Sequence, residues 1–174
     1  MPAIELERAF LLKHIPECLE KCKGIEIIDR YIPESAPHPK IRIRRCGDKF
    51  EITKKQPLAK DASEQSERTI DLTKEEFDEL SRIPAKETVK TRYCFIHNGA
   101  KAELDFFHGK LEGLVLVDFE FSSRNDMEKF SMPGFCLAEV TRDKFLAGGM
   151  LCGKSYKDIE PALKRFGYRK LKLY

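Results

Sequence analysis

Residues 88–121 read TVKTRYCFIHNGAKAELDFFHGKLEGLVLVDFEF, and this stretch decides the fold. Asn98-Gly99 suits the positive φ angles of a tight hairpin turn. Around it, Thr88 to His97 and Lys101 to His108 alternate as two strands, and Leu114 to Phe121 alternates as a third. Side chains on a strand alternate between faces, so residues two apart share one. Lys90 and Arg92 fall opposite Val89 and Tyr93. Glu103 and Asp105 fall opposite Leu104 and Phe106. Asp118 and Glu120 fall opposite Val117, Phe119 and Phe121. Sequential strands joined by short turns predict antiparallel sheet rather than βαβ units.

The flanking sequence continues the pattern. Ile4 to Leu12 is a first strand, with Glu5 and Glu7 on one face and Leu6 and Phe10 on the other. Helical residues are predicted from Pro16 to Lys23, and a strand from Ile25 to Ile32. Pro33, Pro37 and Pro39 then enforce a loop. Lys40 to Arg45 and Lys49 to Lys55 form a hairpin across Cys46-Gly47-Asp48. Gln56 to Ser66 is polar, and Gln65 to Leu72 is a strand. Thr73-Lys74-Glu75-Glu76 is a capping box that starts a helix running to about Ile83. A short helix is expected near Asn125 to Phe130, a last strand at Leu137 to Thr141, and a terminal helix at Ser155 to Phe166. The expected architecture is one α+β domain over residues 1–174. It is an eight-stranded antiparallel β-barrel, or tunnel, over about 3–152, with short peripheral helices and a C-terminal helix and tail over 155–174. Closure is expected because a long open sheet leaves unprotected edges.

Composition narrows the function. The chain has 174 residues, 32 Lys plus Arg, 29 Asp plus Glu, and a formal net charge of +3. So balanced a charge speaks against a surface that coats nucleic acid, and no specific nucleic-acid partner is expected. No apolar run approaches the roughly 20 residues of a membrane span. Glu5, Glu7 and Arg8 exclude a signal peptide at the start. The six cysteines are scattered without a CxxC pair, which suits reduced thiols and a cytoplasmic location.

Like-signed pairs recur on separate strands: Glu5 and Glu7, Arg42 and Arg44, Lys90 and Arg92, Glu103 and Asp105, Asp118 and Glu120. Glu67 and Glu139 are single acids in similar settings. Like charges two apart repel along a strand, so something must compensate. Carboxylate rows do so by holding Mg²⁺ or Mn²⁺, which prefer oxygen ligands. Arginine and lysine rows do so by holding phosphate oxygens. Together they describe a metal-dependent polyphosphate site lining a barrel.

An ordered set of motifs resembles the CYTH superfamily, the triphosphate tunnel metalloenzymes. Its ExExK strand corresponds to Glu5-Leu6-Glu7-Arg8-Ala9. A Tyr before a loop, an RxR strand and a Lys strand correspond to Tyr31, Arg42 with Arg44, and Lys54. Lys90-Thr91-Arg92-Tyr93, Glu103-Leu104-Asp105, Asp118-Phe119-Glu120-Phe121 and Glu139-Val140-Thr141 follow in the family's order. The resemblance implies that a triphosphate or nucleoside triphosphate is held by Arg42, Arg44, Lys54, Lys90 and Arg92. It implies Mg²⁺ or Mn²⁺ on Glu5, Glu7, Asp118, Glu120 and Glu139, with Glu67, Glu103 and Asp105 as supporting acids. Tyr31 and Lys90 are the implied catalytic residues, and hydrolysis of the triphosphate is the implied reaction. A homodimer is left open.

Departures from the family pattern matter. The hallmark Lys is Ala9, and the ExE of the fifth strand reads Gln65-Ser66-Glu67. The binding face is kept while the water-activating edge is eroded. Two alternatives therefore stand beside hydrolysis: a module that binds polyphosphate with little turnover, and a class IV adenylate cyclase. A competing motif, Gly148 to Ser155, fits the P-loop pattern GxxxxGK[ST]. That motif needs a preceding strand in a parallel sheet, so a glycine-rich turn into a terminal helix is the expectation.

Overall fold

The computed structural model describes residues 3–57 and 64–172, with side chains described for 6–54 and 66–172. Nine strands form one antiparallel sheet: β1 (Ala3–Leu12), β2 (Ile25–Ile32), β3 (Ile41–Cys46), β4 (Lys49–Pro57), β5 (Glu64–Leu72), β6 (Lys86–His97), β7 (Ala100–Phe107), β8 (Val115–Glu120) and β9 (Cys136–Glu139). Their order is β5-β4-β3-β2-β6-β7-β8-β1-β9, and β1 additionally pairs with β5. Expected eight-strandedness is thus corrected to nine. The ninth is the short β9, at the last strand expected from Leu137 to Thr141; it pairs with the C-terminal half of β1, at Phe10, Leu11 and Leu12.

The turns follow their chemistry. Asn98 and Gly99 both have positive φ, at 49° and 82°, as the β6–β7 hairpin requires. Thr73 accepts from the Glu76 amide while the Glu76 carboxylate accepts from the Thr73 amide. This reciprocal cap starts α1 (Lys74–Leu80). The helix stops at Leu80 rather than Ile83. The helix expected at Pro16 to Lys23 is a 3-10 segment, Glu17–Lys21. Three further helices are α2 (Arg124–Lys129), α3 (Gly148–Leu151) and α4 (Tyr156–Lys164), of which α3 is not foreseen by the periodicity. The polar segment 58–63 within the expected Gln56 to Ser66 stretch lies outside the described residues.

Two apolar clusters position the charged face. On one face of β1, β7 and β8, Phe10, Leu104, Val117 and Phe119 are buried against Phe130 and Phe135 from the chain after β8. On the opposite face, which also carries the charged pairs, Leu11, Phe107 and Leu116 meet Leu146, Leu151, Tyr156, Ile159 and Leu163. The last three lie at i, i+3 and i+7 of α4, so its apolar stripe faces the sheet. The Tyr168 hydroxyl fastens the tail, donating to the Gly113 carbonyl (2.9 Å) and accepting from the Val115 amide (2.8 Å). The C-terminal elements therefore cover one end of the charged face with hydrocarbon.

Candidate active site

The ladder registers collect the charges. Arg44 lies opposite Asp29 and Glu51, and Arg42 opposite Tyr31 and Thr53. Arg92 pairs with Asp105, Glu103 with Asp118, Asp118 with Ala9, and Glu7 with Glu120. Directly opposed residues share a face. These pairings therefore place Glu7, Asp29, Tyr31, Arg42, Arg44, Lys90, Arg92, Glu103, Asp105, Asp118 and Glu120 on one continuous surface, as the strand periodicity predicts. Glu67 shares that surface through Thr69, whose hydroxyl donates to it (2.7 Å) and meets the Thr53 hydroxyl (3.0 Å).

The cations are held by buried acids. Arg44 clasps Asp29 through Nε and Nη2, at 2.6 and 2.8 Å. Arg92 donates Nε and Nη2 to the two Asp105 oxygens, both at 2.7 Å, and Nη1 to Glu103. Lys90 Nζ donates to Asp105 at 2.5 Å and lies 3.9 Å from Asp29. Burial acts to raise the Asp105 pKa, but Arg92 and Lys90 outweigh it and bring it down to about 2. Burial lowers the Lys90 pKa despite Asp105. Toward the far end the surface opens. There Lys101 donates to Glu103 (2.6 Å) and Glu120 (3.1 Å).

Asp118 behaves differently. Burial, then the charges of Glu7 and Asp105, push its pKa up to about 8. The strand position directly across from it is Ala9. Carboxylate oxygens are the donors hard divalent cations prefer, so Glu7, Asp118 and Glu120 fit Mg²⁺ or Mn²⁺ in kind. Among the described residues, no group of three or more such side chains is gathered closely enough to hold an ion. The Glu5 side chain lies outside those described.

Two expected residues stand apart. Lys54 is exposed and lies opposite Ile41, on the other side of the sheet from Arg42 and Thr53. Glu139 lies opposite Phe10, and Arg8 takes both its oxygens, at 3.0 and 2.6 Å. Tyr31 sits deep, its pKa pushed up to about 12 by burial and by Asp29. Its hydroxyl lies where a Cβ on Gly148 would stand. Gly148 is thus needed to seat Tyr31. Lys154 follows α3 and precedes α4, and every strand pairing among the described residues is antiparallel, so the P-loop reading has no supporting sheet. Sequence reasoning missed Asp29 and Glu51, which the register alone reveals.

Fold and surface together define an antiparallel-sheet protein built around a site of interleaved acids and cations. The inorganic triphosphatase of Nitrosomonas europaea is 30% identical over 142 residues, covering 80% of this chain and 91% of that protein. A crystal structure of an inorganic triphosphatase matches with a TM-score of 0.62 at 27% identity, covering 85% of this chain and 93% of that one. A putative adenylate cyclase from Bacillus halodurans shares the fold, with a TM-score of 0.52 at 16% identity over 98% of this chain and 93% of that one. The chain belongs to the CYTH superfamily of triphosphate tunnel metalloenzymes, on the side of the inorganic triphosphatases. No family model matches it. Among the described residues, no helix is long and apolar enough to cross a membrane.

Proposed function

We propose that the protein hydrolyses a linear triphosphate, inorganic or carrying a small organic group, on the charged face of its sheet. The observation that carries this reading is the gathering of Arg42, Arg44, Lys90 and Arg92 beside the acids of β1, β7 and β8 on one surface. The likeness to an inorganic triphosphatase supports it. We read the β1–β5 pairing as the seam that rolls the sheet into a tunnel, with the C-terminal cluster blocking one end.

In this reading Arg42, Arg44, Lys90 and Arg92 bind and orient the phosphate oxygens. Arg92 trades part of its hold on Asp105 and Glu103 for the substrate. Glu5, Glu7, Asp118 and Glu120 would hold Mg²⁺ or Mn²⁺, with Glu103, Asp105 and Glu67 as orienting acids. A divalent ion bound there supplies charge neutralisation of the phosphates and polarisation of the attacking water. The chain's own share is positioning and electrostatic stabilisation, which dominate phosphoryl transfer. Tyr31 and the apolar end exclude water from the deep side. Lys54 and Glu139 take no part, because the register turns them away.

Ala9 opposite Asp118 favours slow turnover over fast, since it brings neither charge nor base to that carboxylate. A phosphate-release panel tests the reading, with inorganic triphosphate, thiamine triphosphate and ATP, each with Mg²⁺ or Mn²⁺ at neutral and alkaline pH. Release from inorganic triphosphate supports it. Tight calorimetric binding without release from any substrate would make the protein a binding module. Cyclic product from ATP without free phosphate would make it a cyclase.

A further inference from the structure

A buried carboxylate in the middle of an anion site needs a reason. Asp29 is 1% exposed and lies among three cations: Arg44 at 2.6 Å, Arg42 at 3.7 Å and Lys90 at 3.9 Å. Its negative charge opposes a polyanion by direct Coulomb repulsion. Yet without it three like charges would crowd one buried patch, and Arg44 would lose both of its short hydrogen bonds.

The hydrogen bonds of the buried cations are unequal. Arg44 spends Nε and Nη2 on Asp29. Arg92 spends three nitrogens on Asp105 and Glu103. Lys90 is committed to Asp105. Among the described residues, Arg42 alone of the four makes only long contacts, from Nη2 to Glu51 at 3.3 Å and to Thr53 at 3.4 Å. Its Nε is buried without a hydrogen-bond partner among the described residues. A buried donor left unsatisfied is costly, and an arriving anion relieves that cost. A guanidinium with open donors also suits the forked recognition of phosphate.

We propose that Asp29 is a positioning residue: by clamping Arg44 it fixes the cation cluster and leaves Arg42 as the guanidinium that receives the substrate's phosphate. The inference rests on the triphosphate reading above. It divides the arginine pair, which the sequence treats as equivalent, into a clamped member and a receiving member.

The test is calorimetric binding of inorganic triphosphate, with and without Mg²⁺, to wild type, Asp29→Asn, Arg44→Lys and the double variant. Thermal unfolding is followed in parallel. Simple electrostatics predicts tighter binding when Asp29 loses its charge. Positioning predicts the opposite sign: at least fivefold weaker binding for Asp29→Asn. Arg44→Lys keeps the charge but loses the fork, so it should weaken binding by a similar factor. The double variant should be no worse than either single, because the two residues act as one unit. Arg44→Lys retains a cation beside Asp29 and carries the test alone if Asp29→Asn does not fold. Unchanged or tighter binding by Asp29→Asn, full binding by Arg44→Lys, or additive effects in the double variant would each overturn the assignment. Failure of wild type to bind triphosphate at all would overturn the functional reading, and this inference with it.

Discussion

Replacing Asp118 by Asn should stabilise the metal-free protein, and by more at high pH than at low. Asp118 lies between Ala9 on β1 and Glu103 on β7, and its folded pKa is pushed from 3.8 to about 8. A carboxyl with a raised folded pKa binds its proton more tightly in the native state. Wild-type stability therefore falls as pH rises from about 4 to about 8, and stays reduced above that. Between pH 5 and pH 8 the change is at most about 4 kcal/mol, at roughly 1.4 kcal/mol for each pH unit. Burial and the neighbouring negative charges share this effect and are only partly relieved by one substitution, so about 2 kcal/mol is expected from it. Asn keeps the shape and removes the titration. Urea unfolding in a chelator at pH 5 and pH 9 measures it. The variant's advantage over wild type should grow by about 2 kcal/mol between the two conditions. An advantage that stays constant or shrinks would refute the burial of Asp118 beside Glu7 and Asp105.

Other perturbations have equally definite outcomes. Asp105→Asn leaves Arg92 and Lys90 without their shared partner and should cost about 3–5 kcal/mol in urea unfolding at pH 7. In wild type the depressed Asp105 pKa gives stability that is present above about pH 4 and lost as pH falls through about 2. Acid titration of the variant should lack that portion. Gly148→Ala drives a methyl into the Tyr31 hydroxyl and should destabilise by about 1–3 kcal/mol in thermal unfolding; Tyr31→Phe in the same background should recover part of it. Ala9→Lys places an ammonium across from Asp118. It should return the Asp118 titration, followed by NMR, toward the ordinary carboxylate range and raise phosphate release. An unmoved titration would contradict the β1–β8 register.

Strand parity explains what could be read in advance and what could not. Wherever two like charges stand two apart, as at Arg42 and Arg44 or Asp118 and Glu120, one alternation rule names both the strand and its charged face. Asp29 escapes that rule because its neighbours two away are Ile27 and Tyr31, so no charge pair marks it. Lys54 fails for a related reason. Two lysines stand side by side at 54 and 55, and the β3–β4 register puts position 54 with Ile41, away from Arg42. Glu139 depends on how β9 docks against β1, where the register shifts between Leu11 and Leu12. No local pattern reports such a shift. The glycines at 148 and 149 mimic a phosphate loop in sequence, whereas the structure uses Gly148 to make room for Tyr31 from a distant strand.

In the proposed function one face of the sheet, and not the other, handles the triphosphate. The kcat/KM for phosphate release from inorganic triphosphate, with saturating Mg²⁺ or Mn²⁺, tests it in paired variants. Arg42→Ala should lose at least tenfold, while Lys54→Ala, on the opposite face, should stay within twofold of wild type. Equal losses from both, or a loss from Lys54→Ala alone, would contradict the account.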